Sequence, residues 1–391
     1  MRKLGLLLLA ACILIPATAN AMLVADSVAE FSGVQGQDNW EYCYYTGPFN
    51  WPAAYDLSHV YRLPLWDGSV AWHYTMSPPP WTMLASDWGH PNAEDQAGTA
   101  RHWAVRRWTS DVTGLATISG FLAKRDPGGG DGVIGRVFVG GRPVYTRWIA
   151  YNDATGVNYS ITVPVAAGAP VDLVIDPFGN TGYDSTYLTG RVNTIPTRII
   201  ADSVAEFSST QGQSNWYYGY YAPGGNPNTF GLMTWSSANS RWEGPAADLA
   251  LWPDGGHPGG DLHWSVRRWI AEVDGEITID GAFRRNNSET GNDWLNDGIA
   301  GHIYLNGNEI WQEGLDRWIS QGVINTDTTP FSLTLTVHAG DRIDFGVDPR
   351  TIHWYDGFDF FAAVSTNVPE PATMSLLGAG LLALAARRRR R

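Results

Sequence analysis

The stretch GEITIDGAF, Gly275–Phe283, decides the secondary structure of this chain, because its apolar and polar side chains alternate. Ile277 and Ile279 fall on one face of an extended chain, and Thr278 and Asp280 fall on the other. A period of two is typical of a β-strand that is buried on one side, whereas an amphipathic helix has a period near 3.6. The stretch therefore predicts a half-buried strand.

The surrounding sequence occurs twice. ADSVAEFS is found at Ala25–Ser32 and again, unchanged, at Ala201–Ser208, and HWAVRRW has its match in HWSVRRW. Two copies of about 170 residues are too few and too long for a solenoid, so we expect two domains. These are a first copy, residues 22–196, and a second copy, residues 197–367. Only the short apolar run NTIPTRII joins the parts, so the copies are expected to abut.

Further alternating runs predict the architecture of each copy. YSITVPV, Tyr159–Val165, and SLTLTV, Ser332–Val337, repeat the period of two, and Gly-Gly, Asn-Gly and Asp-Gly pairs separate such runs. About eight or nine strand candidates occur in each copy. This number and length favour an all-β fold made of two tandem β-sandwich (jelly-roll) domains.

The composition supports an all-β protein whose partners are not nucleic acids. Aromatic residues make up 13% of the chain, with 19 Trp and 17 Tyr, and 44 Gly supply turn residues. The formal net charge is -13, and it falls to about -20 once the basic residues of the two predicted targeting segments are removed. A chain this acidic repels a phosphate backbone, so DNA and RNA are excluded as partners.

The N-terminus predicts export. Basic residues precede the apolar run LGLLLLAACILIP, and ANA at Ala19–Ala21 is an A-x-A cleavage site, so residues 1–21 are predicted to be a signal peptide. LAAC, ending at Cys12, offers lipoprotein processing as an alternative, although the residues after it are still apolar. Cleavage after ANA leaves Cys43 as the only cysteine and therefore no internal disulfide.

The C-terminus, VPEPATMSLLGAGLLALAARRRRR, predicts a transient membrane anchor. The mostly apolar segment 374–386 would form a helix of about 20 Å, which is shorter than the hydrocarbon core of about 30 Å. The arginines after it would stay cytoplasmic by the positive-inside rule, with the bulk of the chain outside. We therefore expect a short C-terminal apolar helix that holds the chain in the inner membrane for a time.

This C-terminal segment resembles the PEP-CTERM sorting signal, a motif that has also been labelled the ice-binding protein C-terminal domain. The resemblance covers residues 368–391 and implies an exosortase-type processing enzyme as a partner, in a Gram-negative bacterium that makes exopolysaccharide. It also implies cleavage near the Pro-Glu-Pro sequence and release to the cell surface or the extracellular matrix. The matching residues are Pro369, Glu370 and Pro371, the apolar helix, and an arginine cluster that includes Arg387 and Arg388.

Each copy also resembles a bacterial jelly-roll module of secreted and surface proteins. The elements that carry the resemblance are QGxxNWxYxYY, RRW, a DG pair before a strand, GDxIDFxVDP and YD. The resemblance implies a β-sandwich similar to carbohydrate-binding modules, and it implies no particular activity.

The aromatic residues of the QGxxNWxYxYY element are candidate ligand-binding residues, because flat rings can stack on sugar faces. Alternation divides such a run between the two faces of a strand, so only half of its rings could meet a ligand. The alternative is that the rings pack in the core and between the sheets. The candidates are Trp40, Tyr42 and Tyr44 in the first copy and Trp216, Tyr218 and Tyr220 in the second.

The HWxVRRW element supplies a second set of ligand-binding candidates. Trp103 and Arg107 share one face of the predicted strand, as do Trp264 and Arg268 in the second copy. An arginine beside a tryptophan can stack on its ring and bind the carboxylate of an acidic sugar. The alternative is an arginine paired with one of the many aspartates.

Recurring aspartates suggest a structural calcium ion. Asp176 and Asp184 in the first copy correspond to Asp348 and Asp356 in the second. Loop carboxylates and backbone carbonyls are the ligands that Ca²⁺ prefers, and a bound ion would stabilise an exported domain without disulfides. The alternative is that these residues form turns by bonding their own backbone.

No strong catalytic signature is present. The sequence contains no G-x-S-x-G, H-E-x-x-H, phosphate-binding loop or paired C-x-x-C, so no catalytic residue is assigned and no enzyme is predicted. We expect an exported cell-surface or extracellular-matrix protein that binds polysaccharide without catalysis. The alternatives are a purely structural matrix protein without a ligand, or a polysaccharide lyase or hydrolase with His102 or His263 as its base.

Overall fold

A computed structural model describes residues 21–367, apart from residues 50–54, 96–97, 195, 287–296, 317–318, 321–322 and 325–326. Residues 1–20 of the predicted signal peptide therefore lie outside the described residues. The predicted sorting signal and apolar helix, residues 368–391, also lie outside them.

The first copy folds into β-strands joined by turns. Its strands are β1 Met22–Asp26, β2 Trp40–Tyr45, β3 Val60–Arg62, β4 Leu65–Trp66, β5 Ala71–His73, β6 Met83–Ala85, β7 Trp88–His90, β8 Trp103–Thr109, β9 Gly114–Lys124, β10 Val133–Val139, β11 Arg142–Ile149, β12 Val157–Val165, β13 Pro170–Asp176, β14 Thr186–Leu188 and β15 Arg191–Thr194.

The second copy repeats this pattern. Its strands are β16 Thr197–Asp202, β17 Trp216–Tyr221, β18 Gly231–Leu232, β19 Thr234–Ser236, β20 Arg241–Glu243, β21 Ala250–Trp252, β22 Gly255–His257, β23 Trp264–Ile270, β24 Gly275–Arg285, β25 Gly298–Leu305, β26 Asn308–Asp316, β27 Ile319–Ser320, β28 Val323–Ile324, β29 Thr328–Val337, β30 Arg342–Asp348 and β31 Phe358–Asn367.

Helical structure in the described residues is limited to short 3₁₀ turns. They span Gln37–Asn39, Leu57–His59, Gln213–Asn215, Pro227–Thr229 and Gly260–Leu262. No helix in this part of the chain is long and apolar enough to cross a membrane.

Each copy contains two large antiparallel sheets, and β27 and β28 of the second copy form a separate two-stranded sheet. In the first copy, sheet 1 has the order β1-β15-β9-β14-β7-β6-β5-β4, with β12 also paired to β9, and sheet 2 has the order β11-β10-β13-β8-β2-β3. In the second copy, sheet 1 has the order β19-β20-β21-β22-β31-β24-β29, with β16 also paired to β31, and sheet 2 has the order β18-β17-β23-β30-β25-β26. The prediction of an all-β chain with two tandem sandwiches is confirmed, while the domain boundaries stay a prediction.

The alternating stretch Gly275–Phe283 forms most of β24 in sheet 1. Ile277 and Ile279 are 1% and 0% exposed and belong to the core of the second copy. Burial of one such side chain contributes about 1.5–3 kcal/mol, so the alternation itself fixes which face of the strand turns inward. Asp280 lies on the opposite face but is only 6% exposed, because that face meets the first copy.

Side chains from both copies join across the junction between them. Arg147 of β11 pairs with Asp327 at 2.7 Å, and the backbone N–H of Thr146 donates to Thr328 Oγ1 at 2.9 Å. The outward face of sheet 1 of the second copy adds Phe361 to the apolar core cluster of the first copy. The two copies therefore abut, as the short apolar connection indicates.

Candidate functional site

Four of the predicted sugar-stacking rings lie in the core. Trp40, Tyr42, Trp216 and Tyr218 are between 0% and 1% exposed, because the even-numbered positions of β2 and β17 face the opposite sheet. The indole N–H of Trp40 also donates a hydrogen bond to Glu30 Oε2 at 2.8 Å, within the protein. No saccharide can stack on rings in this position, so the prediction is corrected for these four residues, and the packing alternative applies to them.

The two predicted tryptophans of the HWxVRRW element lie on the outer face of sheet 2, but they are covered. Trp103 is 5% exposed beneath Tyr45 and Phe49, whose ring centroids are 5.0 and 5.5 Å away. Trp264 is 7% exposed, with the His302 ring 4.5 Å away. The prediction that these rings contact a ligand is corrected in the same way.

The two predicted arginines are already paired. Arg107 binds Asp172 through Nε and Nη2 at 2.8 and 2.7 Å, and Arg268 binds Asp344 through the same atoms at 2.6 and 2.8 Å. A bidentate pair satisfies the planar fork of the guanidinium. Neither arginine is therefore available for the carboxylate of an acidic sugar, and the alternative of an arginine paired with aspartate applies.

In the first copy, protein cations occupy the place predicted for calcium. Asp176 accepts from Arg136 at 2.9 Å and from Arg101 at 2.7 Å. Asp184 lies 3.0 Å from Lys124 Nζ, and both side chains are fully buried. Burial raises the pKa of Asp184, and the attraction of Lys124 opposes that shift. The prediction of calcium ligands is corrected for these two residues, since their charge is already balanced.

The corresponding carboxylates of the second copy do not form a metal cluster either. Asp348 accepts from the backbone N–H of Arg350 at 2.7 Å, as a turn-forming aspartate does, and Asp356 is completely buried. Within the described ranges, no group of three or more His, Cys, Asp or Glu side chains has the geometry to hold a metal ion. Calcium binding stays a prediction for the second copy.

Tyr44, a half-buried ring of β2, is enclosed by other rings in the first copy. Tyr61, Tyr74 and His102 lie with their ring centroids 5.8, 5.0 and 4.8 Å from it. His102 is 3% exposed, and burial lowers its pKa to about 4. A ring so enclosed and so weakly basic is a poor choice for the base of a lyase.

Tyr220, the counterpart of Tyr44, lines an open cavity in the second copy. We call this cavity of about 510 Å³ the Tyr220 pocket. It combines two aromatic rings with hydroxyl groups and a carboxylate, which is a composition suited to a sugar. Its lining residues are Tyr220, Leu232, Thr234, Trp235, Ser236, Glu243, Gly244 and Pro245.

Two glycines stand near the Tyr220 pocket at positions that tyrosines hold in the first copy. Gly231 lies opposite Tyr220 across the strand pair, at the register position that Tyr61 holds in the first copy. Gly244 directly follows β20, as Tyr74 follows β5. The two tyrosine rings that contact Tyr44 in the first copy therefore have no counterpart beside Tyr220, whose own ring packs over Gly231.

A second cavity lies at one end of the first sandwich and was not predicted from the sequence. Trp81 and Tyr183, which are 45% and 51% exposed, line it together with Asp126. The Tyr183 ring lies over Gly128 and Gly129, where an added Cβ would approach it to about 3 Å. We call this cavity of about 280 Å³ the end cleft; its lining residues are Trp81, His90, Asp126, Thr181, Gly182 and Tyr183.

The backbone of Tyr183 is strained. Its φ is +64°, in the left-handed region that side chains other than glycine rarely adopt, and its counterpart Tyr355 has a φ of +63°. Such a conformation costs of order 1–3 kcal/mol and persists where surrounding structure enforces it, often at binding sites. The same strained tyrosine therefore projects from the same loop in both copies.

His90 presents an acceptor to the end cleft. Its Nδ1 lies 2.6 Å from the carbonyl oxygen of Pro91, so Nδ1 must carry the proton and donate it. Burial lowers the pKa of His90 to about 4, which keeps the ring neutral at ordinary pH. Nε2 then carries a lone pair that can accept a hydrogen bond from a ligand hydroxyl.

The second copy also exposes aromatic rings at its corresponding end. Trp354 and Tyr355 are 55% and 52% exposed, and the His353 ring lies 4.8 Å from the Trp354 ring. Asp248, a carboxylate 3.9 Å from His353, occupies the position that Trp81 holds in the first copy. The two ends share exposed rings, but in the second copy the Asp248 carboxylate replaces the Trp81 ring of the first.

The sequence contained one signal for these residues. The recurring YD pair, at Tyr183 and Tyr355, was part of the module pattern, yet neither tyrosine was singled out as a ligand-binding residue. Alternation identifies rings on strands, whereas these rings stand on loops and have no periodic pattern.

Comparison with known proteins identifies the C-terminal segment. Residues 367–391 match the PEP-CTERM protein-sorting motif, which confirms that resemblance and indicates an exported protein. No curated protein is significantly similar to the chain in sequence.

Several solved structures align with the chain at low identity. The tandem CBM51 modules of the family 98 glycoside hydrolase from Streptococcus pneumoniae share 12% identity over 72% of this chain and 88% of that one, with a TM-score of 0.22. The CBM22-1–CBM22-2 tandem domain of Xyn10C from Paenibacillus barcinonensis shares 11% identity over 73% of this chain and 94% of that one, with a TM-score of 0.22. PNGase F, a glycosylasparaginase from Flavobacterium meningosepticum, shares 9% identity over 72% of this chain and 94% of that one, with a TM-score of 0.35.

Proposed function

We propose that this chain is an exported cell-surface or matrix protein that binds polysaccharide without catalysis, through the end cleft of the first copy. One observation carries the proposal: exposed aromatic rings gather at the same end of both copies. Among the described residues, Tyr61, Trp81, Tyr183, Trp354 and Tyr355 are the exposed rings, and all except Tyr61 lie at these two ends. Clustered exposed rings mark interaction sites, whereas isolated ones need no explanation.

The polar groups of the end cleft suit a neutral sugar. Trp81 and Tyr183 offer flat apolar surfaces to the faces of a pyranose ring. The Asp126 carboxylate and the free Nε2 of His90 accept hydrogen bonds, and a sugar hydroxyl can donate to either. A uronate would instead bring its negative charge towards Asp126, so neutral glycans are the expected class.

The second copy would add a second point of attachment. Trp354 and Tyr355 form its end surface, and the Tyr220 pocket offers a further aromatic-lined cavity. Two weak sites on one chain raise the overall affinity for a repeating polymer, because the second contact forms at a high effective concentration. The proposal therefore favours polysaccharides over single sugars.

The sorting segment completes the proposal. An exosortase-type enzyme would cut near Pro369–Pro371 after export, and the segment 374–386 would hold the chain in the inner membrane until then. Release would place the sandwiches in the extracellular polysaccharide. The sorting motif supports this route, and a shift in mass after loss of the processing enzyme would test it.

The decisive experiment is affinity electrophoresis of the exported protein through gels that contain neutral and acidic polysaccharides, including the exopolysaccharide of the producing cell. We expect retardation by at least one neutral glycan. Trp81→Ala combined with Tyr183→Ala should weaken binding about thirtyfold, because stacked rings contribute of order 1 kcal/mol each.

Tyr61→Ala is the matched control, since Tyr61 is an equally exposed ring outside both ends. Retardation that survives the double substitution, or that Tyr61→Ala removes equally, would contradict the end cleft as the binding site. Passage through every gel without retardation would leave a purely structural matrix protein as the better description.

A further inference from the structure

A third cavity lies between the two copies, separate from both the end cleft and the Tyr220 pocket. It has a volume of about 300 Å³, and most of its lining residues are serines and threonines. We call it the junction pocket; its lining residues are Leu115, Thr117 and Thr162 of the first copy and Thr197, Thr278, Asp280, Ser332, Ser365 and Asn367 of the second. Ligand sites occur preferentially at such domain interfaces, and this volume is at the small end of their range.

The base of the junction pocket is buried and its rim is open. Asp280 and Ser365 are 6% and 1% exposed, whereas Ser332 and Asn367 are exposed to solvent. A ligand could therefore enter past the exposed rim and place one group against the Asp280 carboxylate. The pocket has room for one sugar ring rather than a chain.

Asp280 differs from five other buried aspartates, each of which pairs with an arginine or a lysine. Its carboxylate is bonded to the Ser332 hydroxyl, and in the described part of the chain no arginine or lysine pairs with it. The paired aspartates are Asp26 with Arg191, Asp172 with Arg107, Asp176 with Arg136, Asp184 with Lys124 and Asp344 with Arg268. Burying a carboxylate without a counter-charge is unfavourable, so the retained Asp280 needs an explanation.

The first copy shows that the fold itself does not need this charge. Ser119 holds the position of Asp280 on β9 and lies opposite Ser160, as Asp280 lies opposite Ser332. The equivalent strand of the first copy therefore forms with a serine, and without a carboxylate, at this position. The carboxylate is a feature of the junction pocket and not of the sandwich.

We propose that the junction pocket binds an amino sugar, a ring-sized polyol whose protonated amine pairs with Asp280. The ammonium group would supply the missing positive charge, and its hydrogens would donate to the carboxylate. The ring hydroxyls would bond the serine and threonine hydroxyls, each of which can both donate and accept. Three of these hydroxyls already form hydrogen bonds across strands: Thr117 pairs with Thr162 at 2.9 Å, and Thr278 pairs with Thr334, which lies outside the pocket, at 3.2 Å.

Isothermal titration calorimetry of the exported protein with glucosamine, glucose and N-acetylglucosamine tests the proposal. The three sugars share one ring and differ at carbon 2, where only glucosamine carries a free amine. We expect binding of glucosamine at least tenfold tighter than of the other two, since a hydrogen-bonded charge pair discriminates by about that factor. A de-acetylated glucosamine oligomer, titrated in parallel, distinguishes a polymer residue from a free sugar as the source.

The matched variant is Asp280→Ser, which installs the residue of the first copy, and Ser119→Ala is its control. Asp280→Ser should abolish the preference for glucosamine, and Ser119→Ala should retain it. Equal affinity for the three sugars, no binding of glucosamine, or an unchanged preference in Asp280→Ser would overturn the proposal. The comparison of sugars on the unaltered protein is decisive even if the variant does not fold, and the end-cleft proposal stands or falls separately.

Discussion

The first and second copies have equivalent sheets, but they carry different side chains on the surfaces of these sheets. Tyr61 and Tyr74 cover Tyr44 in the first copy, whereas Gly231 and Gly244 leave Tyr220 beside an open cavity in the second. Ser119 and Asp280 likewise differ where the sheets are otherwise in the same register. The inward-facing residues therefore maintain the sandwich, while outward-facing and loop residues have diverged enough to offer different sites.

Both copies have a buried arginine in the RRW element, with the same set of contacts. Arg106 donates to backbone carbonyls of four residues in the first copy, and Arg267 does the same in the second, and each is at most 1% exposed. Burial lowers the pKa of each to about 10, so both remain charged at neutral pH. Each guanidinium thus holds the loop next to β1 or β16 against the turns of sheet 1.

Replacing these arginines should have the largest effect and should be equal in the two copies. We expect Arg106→Leu and Arg267→Leu each to lower the free energy of unfolding of its copy by about 3–5 kcal/mol, because buried carbonyls lose their donors. Urea denaturation of each variant measures this. Arg241→Leu is the control, since its ion pair with Glu243 is open to solvent and should contribute less than about 1 kcal/mol. A large loss in only one copy would contradict the expectation that the two arginines contribute equally to the free energy of unfolding.

A smaller effect should separate the two copies at the tyrosine pair. Tyr44→Ala removes a ring with three ring neighbours, whereas Tyr220→Ala removes one whose described ring contact is His263 at 5.7 Å. Each aromatic contact contributes about 0.5–1.5 kcal/mol, so Tyr44→Ala should destabilise by about 1–2 kcal/mol more. Thermal unfolding measures the difference.

Equal losses at the two tyrosines would contradict the view that the second copy has opened a cavity there. In that case Trp235 or another lining residue of the Tyr220 pocket would have to support Tyr220 as firmly as the rings support Tyr44.

The sequence predicted the fold better than it predicted the site, and the strands show why. Alternation in Gly275–Phe283 depends on burial along a single strand, and it correctly placed Ile277 and Ile279 in the core. The same rule does not tell which side of β2 faces the opposite sheet, and Trp40, a predicted ligand-binding ring, lies in the core. Trp81 and Tyr183 are exposed because they lie on loops, where the φ of Tyr183 is positive. Residues on loops follow no periodic pattern that a sequence could show.

The smallest effect should appear at Asp280 and should depend on pH. Burial raises the pKa of Asp280 above its unfolded value of 3.8. The folded state therefore binds a proton more readily than the unfolded state, and the second copy gains stability as the pH falls through the folded-state pKa. Asp280→Ser removes this dependence. We expect the variant to be about 1 kcal/mol more stable than the unaltered protein at pH 7, and the difference to vanish below about pH 3.8.

Asp26 provides a control of opposite sign. Burial acts to raise its pKa, but hydrogen bonds from the backbone of Ala29 and Val28 and the attraction of Arg191 outweigh burial and lower it. Asp26→Asn should therefore lower stability at pH 7, and that loss should shrink as the pH falls. Urea denaturation of both variants at pH 7 and at about pH 3 makes the comparison. If Asp280→Ser is less stable than the unaltered protein at pH 7, then Asp280 has a stabilising partner within the chain, and its carboxylate does not need a ligand to balance it.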